Sequence, residues 1–394
     1  MKNSWILFAA ALSTLSALAL ARLSFGLIQP SMRLDMGLGP EDPGYLGAIN
    51  SLGYISCLLL AGATADRRGG RFCVLLGLSV IATGCGVMAL APSFAVLALG
   101  MVLMGMGTAF VYTPLISLTV AWFPGQRGMA IGIANAGIGV GASVVALVLP
   151  RVLSAQNEAN WRWVWACFAL FVAINLAVAL VKLHNPAKPS NRDAPAAPSD
   201  WSGVIQSTGV RFYAAIYGLV GLCYMVQSIF SYSYALSIGV QAADAGLLLA
   251  LMGLLTVISG PIVGRLSDRL GRGLTLSISA GLMTVAMIAP VIWSNYTGFV
   301  LHFLMSGVLL VGLFSTILAG ASEHVPPQWV PRAVSGVTLV FAVGQIVGPA
   351  LSGWLIEWTG RYPPAYVAVS VMMALVTCVS LALYRYEQRL RSAE

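Results

Sequence analysis

The sequence predicts an all-α membrane protein with twelve transmembrane helices, arranged as two six-helix pseudo-repeat bundles. Three observations carry this reading: a scarcity of charge, twelve long apolar runs, and a motif that occurs twice at one spacing. Of 394 residues, 21 are Lys or Arg and 13 are Asp or Glu, so 9% are charged, while 58% are hydrophobic. An ordinary soluble protein carries about 25% charged residues. This chain has too few polar groups to clothe a water-facing surface, which excludes soluble enzymes, disordered chains and collagen-like fibres. The surface it can make is one that faces lipid.

The apolar runs lie near 6–33, 44–65, 72–91, 94–121, 128–149, 162–183, 209–236, 244–264, 273–293, 298–321, 332–356 and 364–385. Each reaches the roughly 20 residues a spanning helix needs. Barrel strands alternate with period two over about ten residues, and these runs are longer and continuous. Ala17-Leu18-Ala19 resembles a signal-peptide cleavage site. The first run continues apolar past it and the repeat needs a first helix, so this span is expected to remain. All six cysteines fall inside apolar runs and form no metal-ligand spacing, which makes them packing residues.

Charge sets the orientation. With the N-terminus in the cytoplasm, the cytoplasmic segments hold 16 basic residues and the opposite side holds four: Arg33, Arg151, Arg162 and Arg361. The positive-inside rule therefore puts both termini in the cytoplasm, in a bacterial-type inner membrane. The net charge of +8 reflects this topology and not a nucleic-acid surface, because the basic residues are scattered through short loops. Residues 184–207, with NPAKPSNRDAPAAPSD, have the composition of a linker. They separate an N-terminal bundle, 1–183, from a C-terminal bundle, 208–394.

The halves share a signature. Gly62-x-x-x-Asp66-Arg67-x-Gly69-x-Arg71 follows span two, and Gly264-x-x-x-Asp268-Arg269-x-Gly271-Arg272 follows span eight, 202 residues on. Arg127-Gly128 and Arg332-Ala333 open spans five and eleven in the same way. Repeats of this kind mark secondary transporters, whose substrate sites lie near the bilayer midplane. The doubled motif in a 6+6 chain resembles the major facilitator superfamily. ARLSFGLIQPSMRLDMGL and GYLGAINSLGY resemble its YbfB/YjiJ-type branch, and WFPGQRGMAIGIANAGIGVG is similar to a region of oxalate, nitrate and monocarboxylate carriers. The resemblance implies that Gly62, Asp66, Arg67, Arg71, Gly264, Asp268, Arg269 and Arg272 form a cytoplasmic latch, made in one conformation and broken in the other. Physically, such carboxylates can face helix N-termini and such guanidinium groups can pair with them.

Arg22 is the most informative residue, since a charge in the middle of a span costs about 2.5–3.5 kcal/mol and usually faces a cavity. No Asp or Glu lies deep in any span, which disfavours a cation site. The family pattern places an arginine in span four where this chain has Met101, a departure that argues against ordinary proton-relay antiport. Family likeness also directs spans one, four, seven and ten towards the cavity. Candidate substrate contacts are Arg22, Tyr112, Asn135, Tyr224, Gln227, Tyr232, His302 and Gln345, with His302 as a titratable group that could couple protons. Gly128-x-x-x-Gly132, Gly137-x-Gly139-x-Gly141 and Gly344-x-x-x-Gly348 read as close-packing helix faces.

The chain has no phosphate-binding loop, metal cluster or catalytic triad, so it reads as no enzyme, with no cofactor and no metal. The expected activity is secondary active transport of a small organic anion, carboxylate or sulfonate, by alternating access coupled to protons or to anion exchange. Its partners are then the anion, protons and membrane lipid, with a monomer as the default. The rival expectation is a multidrug or metabolite exporter with a loosely selective aromatic cavity.

Overall fold

A computed structural model describes residues 2–123, 126–153, 160–185, 202–326 and 329–392. Among them, twelve helices are long and apolar enough to cross a membrane. Helix α1 is built from three consecutive segments, Lys2–Thr14, Leu15–Leu23 and Phe25–Met36. Then follow α2 (Asp42–Arg68), α3 (Gly70–Ala89), α4 (Phe94–Trp122), α5 (Arg127–Leu153) and α6 (Asn160–Lys182). The second set is α7 (Thr208–Ser237), α8 (Ala242–Leu270), α9 (Arg272–Ile292), α10 (Tyr296–Glu323), α11 (Val330–Thr359) and α12 (Pro363–Arg391). Most of the expected linker, residues 186–201, lies outside the described residues.

Each of the twelve expected spans is a helix, but several run further than their apolar cores. Helices α2 and α8 continue through the Asp-Arg pairs and stop at Gly69 and Gly271. The motif carboxylates and arginines therefore ride on helix ends, and the turn itself is a single glycine. Both glycines have φ of +88°, with ψ of 152° and 156°. That corner of backbone space is essentially closed to any residue with a Cβ.

The first helix departs from the expected straight span. Residues Leu15–Leu23 are π-helical. The Ser24 N–H donates to the Ala19 carbonyl five residues back, at 2.9 Å. The Thr108 hydroxyl of α4 donates to the Ala17 carbonyl inside this segment, at 2.8 Å. An outside donor thus serves a carbonyl in the widened ladder, and such widenings concentrate at functional sites. Hydropathy does not register this feature, because the sequence stays apolar throughout.

Contacts divide the chain into two compact units. The first contains Met1–Lys188 and Ser228–Val257. Within it α3 packs on α4 and α6, α2 packs on α4, and α1 runs along α5. A Cβ at Gly137 would fall on the Ala11 carbonyl, and one at Gly141 on Leu15 and Ala19, so α5 and α1 touch backbone to backbone. Next to that seam, the Thr14 hydroxyl donates to the Ala134 carbonyl. The second unit contains Pro189–Gln227 and Ile258–Glu394. There α9 packs on α10 and α12, and α11 on both of the same helices. Gly344 and Gly348 sit against the α7 backbone at Gly218 and Leu222. The two glycine seams are the same contact, repeated once in each half.

Candidate functional site

Arg22 lies in the last turn of the π-helical segment. Its Nη2 donates to the Ser51 hydroxyl of α2 at 3.3 Å, and its Cζ lies 5.0 Å from the centre of the Tyr54 ring. Ser51 in turn donates to the Gly47 carbonyl, and the Tyr54 hydroxyl is hydrogen-bonded to Thr113 of α4. A guanidinium, a hydroxyl and an aromatic face from three helices thus form one group, with Arg22 partly exposed. A ring face attracts a cation through its quadrupole, and a guanidinium presents its donors as a planar fork. Tyr112, one residue from Thr113, is also partly exposed. Ser51 and Tyr54 were not among the expected site residues. Their i, i+3 spacing in GAINSLGY puts them on one helix face, which is a signal legible only once Arg22 is known to need neighbours.

Asn50, beside Ser51, has a different task. Its Nδ2 donates to the Met101 carbonyl at 3.0 Å, and a Cβ at Gly105 would meet the Asn50 backbone. Asn135 on α5 is half-buried, and its Oδ1 has no hydrogen-bond partner among the described residues.

Within the second unit, Tyr224 belongs to a four-ring cluster. Tyr217 and Tyr224 come from α7, Phe314 from α10 and Phe341 from α11. Tyr217 stacks on Phe341 at 4.1 Å between ring centres, and Tyr224 lies 6.2 Å from Phe341 at an interplanar angle of 27°. Phe314 stands edge-on to Tyr224 at 5.3 Å and to Phe341 at 5.4 Å. Tyr217 is buried, whereas Tyr224, Phe314 and Phe341 keep part of their surface exposed. Gln227 and Gln345 are buried at 2% exposure each. Tyr232 falls in the first unit and is 5% exposed. The structure therefore groups Tyr224 with rings that were not expected.

His302 lies in the interior of α9, α10 and α12. Its Nδ1 donates to the Ala286 carbonyl at 2.8 Å, its ring contacts Phe299, Phe303 and Tyr366, and it is 0% exposed. A substrate could reach it only if these helices parted.

The two motif turns differ in chemistry. At the first, the Arg71 N–H donates to Asn185 Oδ1 at 2.9 Å and its Nη2 to the Leu180 carbonyl at 2.7 Å. Arg67 is exposed, Gly62 is half-buried, and the Asp66 side chain lies outside the described residues. At the second, Arg272 pairs with Asp268 at 2.8 Å and with Glu323 of α10 at 2.7 Å, and also donates to Ser267. Arg269 is exposed. Gly264, Asp268 and Arg272 line a cavity of about 270 Å³ with Gly260, Ser315, Thr316 and Ala319. Nearby, Glu387 of α12 accepts from the Tyr213 hydroxyl at 2.8 Å and from the Gly273 N–H at 3.1 Å. Glu323 and Glu387 were missed as partners because acidic residues at helix ends look like ordinary solvated charges.

A further cluster was unexpected. In the first unit, the Gln29 amide donates to the Ser233 hydroxyl, and the Ser143 hydroxyl donates to the Ala250 carbonyl at 2.8 Å. A Cβ at Gly139 would meet the Gly253 carbonyl, and one at Gly246 the Ala146 carbonyl. The end of α7 and the start of α8 thus pack closely on α1 and α5. The seven-residue spacing of Gly246 and Gly253 against small α5 residues was the available clue.

Comparison with known proteins agrees with this architecture. The chain is 26% identical over 386 residues to a probable nitrate/nitrite antiporter, NarK1, of Thermus thermophilus, covering 90% of this chain and 86% of that one. It is 24% identical to monocarboxylate transporter 12 of Rattus norvegicus, covering 86% and 76%. It is also 24% identical to the agnestins efflux protein AgnL12 of Paecilomyces divaricatus, covering 85% and 75%. Among solved structures, a bacterial homologue of the human lysosomal transporter Spinster superposes with a TM-score of 0.78 at 16% identity, over 98% of this chain and 97% of that one. The nucleoside transporter NupG gives 0.76 at 12% identity, over 98% and 99%. The profile described as "Uncharacterised MFS-type transporter YbfB" matches residues 14–383. The chain belongs to this YbfB-type family of major facilitator superfamily transporters, and like them it is a transporter and not an enzyme.

Proposed function

We propose that this protein is a secondary active transporter of a small organic anion, of carboxylate or sulfonate type, working by alternating access. One observation carries the reading. Arg22 lies in the last turn of a π-helical segment within the first membrane-spanning helix, partly exposed and held by a hydroxyl and a ring face. A guanidinium within a membrane span costs about 2.5–3.5 kcal/mol, and such charges usually mark a substrate or ion path. Two relatives named for nitrate/nitrite and monocarboxylate support the anion class.

In this reading Arg22 is the counter-charge, with Tyr112, Asn135, Tyr224, Gln227 and Gln345 as further contacts. The bundles 1–183 and 208–394 are the moving parts. Gly62, Asp66, Arg67 and Arg71 form one half of a latch, and Gly264, Asp268, Arg269 and Arg272 the other. The contacts Gln29–Ser233 and Ser143–Ala250 are those a gate would break. The motif ends and both termini face the cytoplasm of a bacterial-type inner membrane, and the protein acts as a monomer. Coupling comes from exchange of a second anion or from a proton carried on the substrate.

The test is a thermal-stability screen of the purified chain against carboxylates and sulfonates, lipophilic cations and neutral sugars. A ligand at 100 times its Kd stabilises by about 2.7 kcal/mol. Anions are expected to stabilise the wild type and not Arg22→Ala. Stabilisation by cations alone, retained in Arg22→Ala, would favour a loosely selective exporter. The four-ring cluster and the efflux relative are the observations on that side.

A further inference from the structure

We infer that the Thr108 hydroxyl on α4 is a positioning group for Arg22, holding the widened turn that sets where the guanidinium stands. The inference rests on the anion reading above for what Arg22 then does. Thr108 is 0% exposed, and its hydroxyl oxygen stands 2.8 Å from the Ala17 carbonyl of α1 and 2.8 Å from the Met104 carbonyl of its own helix. A helical threonine can satisfy itself on the carbonyl four residues back, so the reach across to Ala17 is the informative contact. In a ladder of i→i+5 bonds, the N–H that comes to the Ala17 carbonyl is that of Arg22. A carbonyl oxygen has two lone pairs. Thr108 and the Arg22 backbone therefore address one oxygen.

The widening matters because it is a rotation. A bond to the fifth residue back in place of the fourth puts one more residue into the turn, and one residue is about 100° of an α-helix. In α-helical geometry Arg22 would turn away from the side on which Ser51 and Tyr54 receive it. Those two holders are fixed by the same stretch of α4. A Cβ at Gly105 would meet the Asn50 carbonyl and the Tyr54 nitrogen, and the Asn50 amide donates to the Met101 carbonyl, so the α2 turn that carries Ser51 is seated on α4. Thr113 is hydrogen-bonded to the Tyr54 hydroxyl. Residues 101–113 of α4 thus place the arginine through Thr108, and its neighbours through Gly105 and Thr113. All of these residues lie in the first unit.

Two readouts on the purified full-length chain test this. The first involves no anion: the rate at which a methanethiosulfonate reagent modifies Arg22→Cys, read at that position by mass spectrometry. Thr108→Val keeps the volume and removes the donor, and Thr108→Ser keeps the donor. Thr108→Val is expected to slow the modification severalfold, because the side chain turns from its partly exposed place, and Thr108→Ser to leave it unchanged. The second readout is thermal-shift affinity for benzoate, a carboxylate probe, with Arg22 intact. Thr108→Val is expected to weaken benzoate about three- to tenfold, as loss of one hydrogen bond would, and Thr108→Ser to restore it. Melting of the unliganded variants reports whether they fold, and Thr108→Ala replaces Thr108→Val if that variant does not. A modification rate that Thr108→Val leaves unchanged overturns the inference, and so does one that falls equally in Thr108→Ser. Benzoate binding that is lost in Arg22→Ala but untouched by Thr108→Val overturns it as well and leaves the anion reading intact. If wild type and Arg22→Ala bind benzoate equally, the anion reading falls, and a modification rate slowed by Thr108→Val still upholds the positioning.

Discussion

The two halves of this transporter share packing and differ in chemistry. Both seat a glycine face of the fifth helix of the repeat on the first, through Gly137 and Gly141 in one half and Gly344 and Gly348 in the other. Both end the second helix on a glycine with φ of +88°. The side chains placed on this common frame have diverged. One half carries Arg22 with Ser51 and Tyr54, and the other carries four rings. One turn is held by a backbone carbonyl and an amide, and the other by two ion pairs. Backbone-to-backbone contact tolerates no added atom, so the frame is restrained twice over. Polar groups on the frame are free to specialise.

The largest expected effect tests the shared frame. Gly137→Leu and Gly344→Leu each drive a side chain into a backbone carbonyl that cannot rotate away, and overpacking of this kind costs about 1–3 kcal/mol or more. Both variants should melt well below the wild type by similar amounts. A large loss at one seam with none at the other would break the equivalence of the halves.

Next come the turn glycines. Gly69→Ala and Gly271→Ala force a Cβ into a backbone region that costs about 1–3 kcal/mol. At Gly69 the new atom also meets the Asn185 side chain, which adds to the loss of melting temperature expected there.

A smaller difference separates the two latch arginines. Arg272→Ala removes ion pairs whose partners Asp268 and Glu323 are 64% and 51% exposed, so about 1 kcal/mol is expected, shrinking as salt is raised. Arg71→Ala removes a neutral-acceptor bond worth about 0.5–1.5 kcal/mol, with weaker salt dependence. Equal salt dependence in denaturation series would erase the distinction between the turns.

The smallest effect concerns His302. His302→Phe removes the bond to the Ala286 carbonyl, costs about 1 kcal/mol of stability, and leaves carboxylate binding unchanged. Loss of binding in a variant that folds normally would bring His302 back into the substrate path.

These contrasts mark what a sequence shows by itself. Twelve spans were legible because a bilayer demands long apolar runs, and the repeat because its glycines and charges recur at one offset. Arg22 stood out because a charge in an apolar run has no bland surroundings to hide in. Its neighbours Ser51 and Tyr54 did not, since a hydroxyl and a ring are ordinary in any helix. The π-helical segment was invisible, because a donor on a distant helix, Thr108, serves a carbonyl within it. Glu323 and Glu387 read as surface charge until tertiary contact gave them partners. Sequence spacing fixes which residues share a helix face, and only packing decides which faces meet.

The central claim, that Arg22 meets the negative end of the substrate, is tested most directly by counterflow. Proteoliposomes loaded with unlabelled benzoate are given labelled benzoate outside, with wild-type protein, Arg22→Lys and Arg22→Ala compared at equal reconstitution. The account predicts label accumulation by the wild type, a reduced rate for Arg22→Lys, which keeps the charge but loses the fork, and none for Arg22→Ala. Accumulation by Arg22→Ala at the wild-type rate would contradict it.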